Sequence, residues 1–324
     1  MKLLMNLNLV VLLIFLAIES THAQPDVHYD IVVAQDSSGD FVKIQDAIDA
    51  AKAFPDKRIT IHVKNGVYHE KVRVPAWNNQ LSLIGEDAEQ TIIIWEDYFD
   101  KIDRGRNSTF FTWTLLVEAD DFYAENLTVI NAAGEVGQAV ALHVEGNRCV
   151  FKNCRFLGNQ DTVYLTGENS HHYFNGCKIS GTTDFIFGSA TAFFSQCEIV
   201  SKANSYITAA STPNGKSFGF VFSECKFVAD EDVELVYLGR PWRMYAKTVF
   251  LNCELGKHIA TEGWHDWNKP EAQTTSFYAE YKNTGVGAIT CSRVKWSHQL
   301  SDEEAKNYTP ENVLGEWVTA FVGK

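Results

Sequence analysis

The sequence repeats one short phrase five times, and the spacing of this phrase decides the fold. The phrase is Phe-x-x-Cys-x-apolar, and it reads FKNCRF at 151–156, FNGCKI at 174–179, FSQCEI at 194–199, FSECKF at 222–227 and FLNCEL at 250–255. Successive cysteines are 23, 20, 28 and 28 residues apart. A period of roughly 20 to 30 residues, built from short alternating strands, predicts a solenoid in which each repeat is one coil of a parallel β-helix.

A weaker copy of the phrase precedes these five. It reads YAENLT at 123–128 and places Asn126 at the cysteine position, 28 residues before Cys154. In a solenoid the repeated position stacks on itself, with about 4.8 Å between neighbouring coils. We therefore expect Asn126 and the five repeat cysteines to form one internal column, called here the cysteine column. Without the Cys-x-x-Cys spacing of a zinc knuckle, the column predicts core packing rather than metal binding or disulfides.

The segments before the repeat fit the same solenoid. β-branched residues between turn residues predict short strands at 58–63, 71–74, 81–83 and 91–94. A helix that covers the open end of the core is expected before them, because apolar residues recur at helical spacing at Phe41, Ile44, Ala47, Ile48 and Ala51. The capping-box sequence SDEE at 301–304 predicts a second, C-terminal helix.

The first residues are typical of a secretory signal peptide. Residues 1–23 begin with Lys2 and continue through an apolar run to Thr-His-Ala, and this run is too short for a membrane span. We expect cleavage near Ala23 and a single β-helix domain at 24–324. The protein would then be secreted, periplasmic or bound at the cell surface, with no attachment to the membrane.

Composition and charge restrict the class of partner. The chain of 324 residues is 45% hydrophobic and 21% charged, which is the composition of a folded protein with a sizeable core. Its 41 acidic and 28 basic residues give a net charge of −13, which argues against a nucleic-acid partner. An anionic ligand would have to be held by local donors, since the overall field repels it. We expect a monomer.

Two aspartates keep the register of the repeat. Asp161 follows Cys154 by seven residues, and Asp184 follows Cys177 by seven. If the coils stack in register, the two carboxylates are neighbours, and their repulsion raises one pKa. Such a pair suits a nucleophile or base beside a proton donor. The alternative is that both are turn residues that cap backbone amides.

Two glutamines favour the catalytic interpretation of this pair. Gln160 precedes Asp161 directly, and Gln138 lies one coil earlier, in QAVAL at 138–142. Neutral amide donors beside paired carboxyls suit the stabilisation of an oxyanion. For Gln138 alone, an amide that satisfies buried backbone groups is the alternative.

Five motifs, in this order, resemble the pectin methylesterase family of carbohydrate esterases. They are GVYHE at 66–70, QAVAL at 138–142, QDTVY at 160–164, DFIFG at 184–188 and LGRPW at 238–242. The resemblance extends from about residue 29 to the C-terminal region. It implies an all-β solenoid, specifically a right-handed parallel β-helix, and an esterase that acts on methylated homogalacturonan (pectin) without a cofactor or metal.

The resemblance also implies a role for each matching residue. Asp184 would attack the ester carbonyl carbon, and Asp161 would protonate the departing methanol and then activate water. Gln138 and Gln160 would donate to the tetrahedral oxyanion, and Arg240 would hold Asp184 ionised. Aromatic side chains would line the groove and stack on sugar rings, at Tyr164, Phe187, Trp242 and Trp264.

Other functions stay open on the sequence. A β-helix glycosidase or lyase on pectin would also use paired carboxyls or a calcium cluster, although oxocarbenium chemistry offers no oxyanion to the glutamines. A related esterase with a non-pectin substrate, or a carbohydrate-binding β-helix without turnover, would retain the groove. Glu70 is expected to be structural. His171 and His172 are adjacent in a strand and should face opposite sides, which argues against a metal site.

Overall fold

The computed structural model describes residues 29–322, so the signal peptide expected at 1–23 lies outside the described residues. The described residues form 26 strands, β1 to β26 in chain order, which lie at Asp30–Val33, Ile59–Val63, Gly66–His69, Val72–Val74, Leu81–Gly85, Thr91–Trp95, Leu115–Val117, Tyr123–Glu125, Thr128–Asn131, Leu142–Val144, Cys149–Lys152, Arg155–Leu157, Val163–Leu165, His171–Asn175, Lys178–Gly181, Ile186–Gly188, Thr191–Ser195, Glu198–Ser201, Tyr206–Ala210, Phe220–Ser223, Lys226–Ala229, Tyr237–Gly239, Lys247–Leu251, Glu254–Leu255, Phe277–Tyr281 and His298–Gln299.

Helices are few and short. Within residues 29–322, five α-helices, α1 to α5, lie at Ile44–Ala50, Phe99–Ile102, Ala272–Thr275, Asp302–Ala305 and Pro310–Leu314. Three 3₁₀ helices lie at Gly105–Phe111, Val286–Ala288 and Glu316–Ala320. None of the helices within residues 29–322 is long and apolar enough to cross a membrane.

The strands form three sheets with parallel pairing, and the coils in the middle of the chain contribute one strand to each sheet. The eleven-stranded sheet has the order β1-β2-β5-β8-β11-β14-β17-β20-β23-β25-β26, and the eight-stranded sheet runs from β24 to β3. The seven-stranded sheet has the order β22-β19-β16-β13-β10-β7-β4. Strands β11, β12 and β13 of one coil pair with β14, β15 and β16 of the next. The predicted right-handed parallel β-helix is confirmed.

The pairing confirms the cysteine column for the five repeat cysteines and corrects its first member. Strands next to these cysteines pair with offsets of 23, 20, 28 and 28 residues. The offset between β9 and β12 is 27, however, so Leu127 and not Asn126 occupies the position next to Cys154. Asn126 and Asn153 are corner residues with left-handed φ angles of 57° and 49°, a conformation that asparagine tolerates. They pair with each other, since Asn153 Nδ2 donates to Asn126 Oδ1 at 2.6 Å.

In the interior, residues of the same type stack on one another from coil to coil. The column cysteines are at most 1% exposed, and all seven cysteines of the chain are free. Thiols in the column donate to carbonyls of the preceding coil, as Cys177 Sγ does to Phe151 O at 3.3 Å. Beside them runs a row of stacked phenylalanine rings with centroids 4.4 to 4.8 Å apart, formed by Phe151, Phe174, Phe194, Phe222 and Phe250.

The N-terminal end of the core is covered by α1, as predicted. Ile44, Ala47 and Ile48 are buried, and the helix packs against β1, β2 and β4. Its first N–H groups lack a cap from Lys43 and are satisfied by Glu70 instead, whose two carboxylate oxygens accept from Ile44 N and Gln45 N at 3.0 Å. Glu70 therefore has the structural role expected of it, because an acidic group at a helix N-terminus stabilises it.

The C-terminal segment covers the outer face of the eleven-stranded sheet. The predicted capping box opens α4, where Ser301 Oγ accepts from Glu304 N at 3.3 Å and Glu304 accepts from Ser301 N at 2.8 Å. After α5, Val313, Leu314 and Val318 pack in one apolar cluster with outward-facing residues of the sheet. This face is therefore closed, and the outer face of the seven-stranded sheet carries the cleft described below.

We predict that a thiol reagent modifies one cysteine, Cys291, in the native protein. Cys149 lies outside the cysteine column, but its side chain is fully buried and burial raises its pKa, so it should be as unreactive as the column. Cys291 is exposed. Spectrophotometric titration should count one fast thiol without denaturant and seven after unfolding. A second fast thiol in the native protein would contradict the stacked interior.

Candidate active site

An open cleft of about 370 Å³ lies on the outer face of the seven-stranded sheet. Residues on or next to β10, β13, β16, β19 and β22 form one part of it, and the segment from α2 to the following 3₁₀ helix forms another. The lining residues are Phe99, Arg106, Thr109, Phe110, Gln138, Gln160, Asp161, Asp184, Phe187, Ala209, Arg240, Trp242 and Trp267. The fold thus brings together the two aspartates, two glutamines and arginine that the sequence singled out.

The two aspartates occupy equivalent positions in successive coils. Each lies two residues before a strand, Asp161 before β13 and Asp184 before β16, and Val163 pairs with Ile186 in these strands. Their φ angles are left-handed, 65° and 49°, and aspartate is among the residues that tolerate this. The side chains are buried, with 9% and 6% of each residue exposed. The predicted common register is confirmed.

Arg240 binds one member of the pair. Its Nε donates to Asp184 Oδ1 at 2.9 Å and its Nη2 to Oδ2 at 2.7 Å, which is a bidentate ion pair. The guanidinium lies between two rings, with its carbon 3.9 Å from the centroid of Tyr206 and 3.7 Å from that of Trp267. Stacking and pairing together fix the orientation of Asp184 and favour its ionised form.

Asp161 has a different electrostatic environment. Within residues 29–322 its carboxyl forms no hydrogen bond and no ion pair. Burial, and then the charge of Asp184, hold the pKa of Asp161 well above its ordinary value, and the charge of Arg240 only partly opposes this. Burial also raises the pKa of Asp184, but the bond to Arg240 opposes that rise directly. When the pair carries one proton, the proton therefore resides on Asp161.

The two glutamines lie side by side beneath the same cleft. Gln138 and Gln160 pair as a parallel bridge between neighbouring coils, and Ala139 N donates to Gln160 O at 3.1 Å. Phe99 N donates to Gln138 O at 3.0 Å, which ties α2 to this coil. Neither side-chain carboxamide makes a hydrogen bond within residues 29–322, so both NH₂ groups are available to a ligand in the cleft.

Aromatic rings form part of the cleft wall. Phe187 stacks on Tyr164 with centroids 4.6 Å apart at 18°, and Trp242 meets both rings edge-on. Phe187 and Trp242 line the cleft directly, whereas Tyr164 supports them from the preceding coil without lining it. Two of the four predicted aromatic residues therefore lie where a sugar ring could stack on them.

Trp264 does not line the cleft, so this part of the expectation is wrong. It is 1% exposed and stacks on Tyr278 in the core, with centroids 4.3 Å apart. The reason is its register, because Trp264 forms a parallel bridge with Gly239 at the end of the seven-stranded sheet and so points inward. Trp267, three residues later in the same loop, lines the cleft and stacks on Arg240.

Sequence reasoning missed one wall of the cleft. The segment 97–112 contributes Phe99, Arg106, Thr109 and Phe110. It interrupts the coil between β6 and β7 and carries no copy of the repeat, so the periodicity gave no register for it. The signal that could have found it is this interruption itself, since an insertion into a solenoid coil is where a binding face is built.

Within residues 29–322, no group of three or more His, Cys, Asp or Glu side chains could hold a metal ion. The adjacent histidines face opposite sides of β14, as expected. His172 is buried and its Nε2 donates to Gly146 O at 2.9 Å, while His171 is half-buried.

Comparison with known proteins shows the family of this chain. A model of the Pectinesterase family matches residues 30–316. Pectinesterase 31 of Arabidopsis thaliana is 38% identical over 284 residues, which cover 85% of this chain and 89% of the relative. The chain belongs to the pectinesterase family. The match covers 49% and 52% of the length of two longer Arabidopsis thaliana relatives, whose names combine pectinesterase with pectinesterase inhibitor.

Solved structures from the pectinesterase family share the fold along the chain. A pectin methylesterase from carrot is 32% identical with a TM-score of 0.84, and the match covers 93% of this chain and 97% of that one. A pectin methylesterase in complex with a hexasaccharide is 32% identical with a TM-score of 0.77, over 90% of this chain and 98% of that one.

Asp161→Asn is expected to stabilise the fold at neutral and alkaline pH. A carboxyl whose pKa rises on folding binds its proton more tightly in the folded chain, so the free energy of unfolding falls as the pH rises above the ordinary value of 3.8. An asparagine at position 161 does not titrate, so the variant does not lose this free energy of unfolding. Urea denaturation at a series of pH values above 3.8 should show that the advantage of the variant over the wild type grows as the pH rises.

The matched control is Asp184→Asn, which leaves the partly buried guanidinium of Arg240 without its charged partner and should destabilise the protein. A constant difference between Asp161→Asn and the wild type across this pH range would contradict the raised pKa of Asp161.

Proposed function

We propose that this chain hydrolyses the methyl esters of methylated homogalacturonan through an acyl-enzyme on Asp184, which releases methanol and leaves de-esterified pectate. One observation carries the proposal. The carboxyl of Asp184, which Arg240 binds, lies in register with that of Asp161, whose pKa is held well above its ordinary value, in a cleft with two carboxamides that make no hydrogen bond within residues 29–322. Acyl transfer requires these functions of a nucleophile, a proton donor and oxyanion donors. Membership of the pectinesterase family supports the substrate.

In the first step, a carboxylate oxygen of Asp184 attacks the carbonyl carbon of the methyl ester. A carbon–oxygen bond forms, and the π electrons of the carbonyl move to its oxygen. Each Asp184 oxygen accepts one bond from Arg240 and keeps a lone pair for attack. Gln138 and Gln160 donate to the new oxyanion, and such a donor contributes about 10²- to 10³-fold in rate.

In the second step, the tetrahedral intermediate collapses. The bond between the carbonyl carbon and the methoxy oxygen breaks, and Asp161 transfers its proton to that oxygen so that methanol leaves. The product is an anhydride between Asp184 and the galacturonate carboxyl. Methoxide is a poor leaving group, so a positioned acid contributes about 10²- to 10⁴-fold. The raised pKa of Asp161 keeps this proton available.

Water completes the cycle. Asp161, now a carboxylate, takes a proton from a water molecule as that water attacks the galacturonate carbonyl carbon of the anhydride. Asp184 leaves as a carboxylate and remains paired with Arg240, while Asp161 is again protonated. The balance is one ester and one water consumed, and one methanol and one galacturonic acid residue formed.

The shape of the cleft suits a chain of sugars. The cleft is open, and Phe187 and Trp242 offer aromatic surface on which a sugar ring can stack. We further propose that the protein is secreted and acts as a monomer on extracellular polysaccharide, supported by the signal-like sequence at residues 1–23.

Substitution of the paired carboxyls should separate their roles. Asp184→Asn removes the nucleophile and should abolish methanol release from highly methylated pectin, whereas Asp161→Asn should still bind substrate and lose most of the rate. Gln138→Ala and Gln160→Ala should each lower kcat by about 10²-fold with little change in KM, because their bonds form mainly in the transition state.

The controls for this assay are acetylated and unmethylated pectin, and a parallel run with a calcium chelator. Methanol release by Asp184→Asn at the wild-type rate would refute the nucleophile. Glutamine variants that change KM alone would make these residues binding groups. Loss of activity on chelation, restored by calcium, would favour a lyase.

Arg240→Gln should change the pH profile as well as the rate. Without the guanidinium, burial of Asp184 is opposed only by the charge of Lys269, so the pKa of Asp184 rises further and a larger fraction is protonated and inactive at low pH. The acid limb of kcat/KM should move to higher pH. Arg240→Lys keeps the charge without the bidentate contact and should move it less. A uniform loss at all pH values would show that Arg240 serves only binding or folding.

A further inference from the structure

A strained turn carries the ring that stacks on Arg240. Trp267 and Asn268 lie in the loop between β24 and α3, and both have left-handed φ angles, 59° and 54°. Asparagine tolerates this conformation, but a bulky residue such as tryptophan rarely adopts it. A strained residue persists only where its surroundings hold it, commonly at a functional site. The contacts that hold Trp267 are therefore part of the site.

Hydrogen bonds within the turn fix its shape. His265 Nδ1 accepts from Trp267 N at 2.9 Å, and Asp266 Oδ1 accepts from Asn268 N at 2.8 Å. Gln273 Nε2 donates to Asp266 Oδ2 at 2.7 Å, which orients this carboxylate. These bonds are local, so they set the conformation of the turn but not its position relative to the catalytic coils.

Two contacts join the turn to the loop that follows β22. At the start of the turn, Trp264 forms a parallel bridge with Gly239. At its end, Lys269 Nζ donates to Pro241 O and to Trp242 O, both at 3.1 Å. These two carbonyl groups belong to the residues directly after the arginine that binds the nucleophile. Lys269 therefore fixes the backbone next to that arginine.

Lys269 also contacts the ring of Trp267. Its ammonium nitrogen lies 4.5 Å from the centroid of this ring, and the guanidinium carbon of Arg240 lies 3.7 Å from the same centroid. An ammonium group has three N–H donors, and two of those on Lys269 go to main-chain carbonyls. Lys269 is not one of the described residues that line the cleft. It is therefore placed to hold the ring and the loop together rather than to bind a substrate.

The charge of Lys269 also acts on the nucleophile. Burial raises the pKa of Asp184, the hydrogen bond and charge of Arg240 oppose this rise, and the charge of Lys269 opposes it further. Two other titratable groups interact with this carboxylate, Asp161 in the preceding coil and Tyr278 on β25. Burial, and then the charge of Asp184, raise the pKa of both groups. The positive charges that favour the ionised nucleophile thus come from Arg240 and Lys269.

We propose that Lys269 is a positioning residue for the nucleophile. It ties the strained turn to the loop that follows Arg240, so that the ring of Trp267 stays against the guanidinium and the guanidinium keeps its bidentate orientation on Asp184. Lys269 itself contacts no reacting atom. This role rests on the proposed esterase function.

The test is Lys269→Met, which keeps the apolar stem and removes the ammonium group. On highly methylated pectin, kcat should fall by about 10- to 10²-fold and by more than KM rises, since a displacement of about 1 Å in a catalytic group can have this effect. The acid limb of kcat/KM should move to higher pH, because Asp184 loses a nearby positive charge and is protonated more readily. Lys269→Arg keeps the charge and can donate to both carbonyls, so it should restore most of kcat and the acid limb.

A double-mutant cycle with Trp267→Leu tests the route of the effect. On the plateau of the pH profile, Lys269→Met should lower kcat less in the Trp267→Leu background than in the wild type, because residues that act through one another are not additive. The matched control is Lys216→Met, which also removes one positive charge. Lys216 Nζ donates to Asn169 Oδ1 at 2.6 Å, away from the cleft. This variant should keep the wild-type kcat and acid limb.

The outcomes separate this role from the esterase function. Methanol release by Lys269→Met with the wild-type kcat and acid limb, or a change in KM alone, would overturn the role of Lys269 and leave the esterase intact. A loss of kcat with an unmoved acid limb and an additive cycle would show a merely structural lysine. An equal shift in Lys216→Met would show a general charge effect, and either result overturns the positioning role.

Two further results complete the test. No methanol release by the wild type would overturn the esterase function and this inference with it. If urea denaturation shows that Lys269→Met does not fold, Lys269→Gln replaces it, because its carboxamide keeps two N–H donors and lacks the charge. The acid limb of Lys269→Gln should still move to higher pH, and an unmoved limb would overturn the proposal.

Discussion

The parallel register between successive coils is the constraint on which the rest of the structure depends. Backbone hydrogen bonds join each strand to the same strand of the next coil, so that equivalent residues stack about 4.8 Å apart. Inside, this register places cysteine on cysteine and phenylalanine on phenylalanine. Outside, it places Asp161 next to Asp184. A slip of one residue would exchange the buried and exposed faces of a strand, so burial of the core protects the geometry of the site.

Stacking like on like has opposite consequences for apolar and charged residues. For phenylalanine it adds dispersion and excludes water, whereas for two carboxyls it adds repulsion. A residue from a more distant coil gives the two aspartates different environments. Arg240 follows β22, two strands beyond the strand of Asp184 in the seven-stranded sheet, and it reaches that carboxylate but forms no pair with Asp161. One repeat position thereby acquires two protonation states and two chemical roles.

The cleft differs in charge from the molecule around it. The chain as a whole is acidic, yet the cleft holds two guanidinium groups with different environments. Arg240 is paired, stacked between rings and turned toward the nucleophile. Arg106 is unpaired within the described residues and turned to solvent on an inserted segment. Net charge therefore predicts the long-range field correctly and says little about what binds in the cleft, because short contacts there outweigh it.

The sequence by itself determined the solenoid, the stacked interior and the register of Asp161 and Asp184, because these follow from a repeat whose period can be counted. It also determined the helix at each end, since apolar spacing and a capping box are local signals. Only the tertiary structure decided that Leu127 replaces Asn126 in the column, because the strands on both sides of this corner pair with an offset of 27 residues and so align Asn126 with Asn153.

The tertiary structure alone also decided which loop residues reach the cleft. Trp264 points inward and Trp267 outward because a single bridge to Gly239 sets the register of their loop. Arg106 reaches the cleft on a segment outside the repeat, held by hydrogen bonds from Asn131. Such placements depend on contacts between residues far apart in the chain, and no local pattern or period in the sequence encodes them.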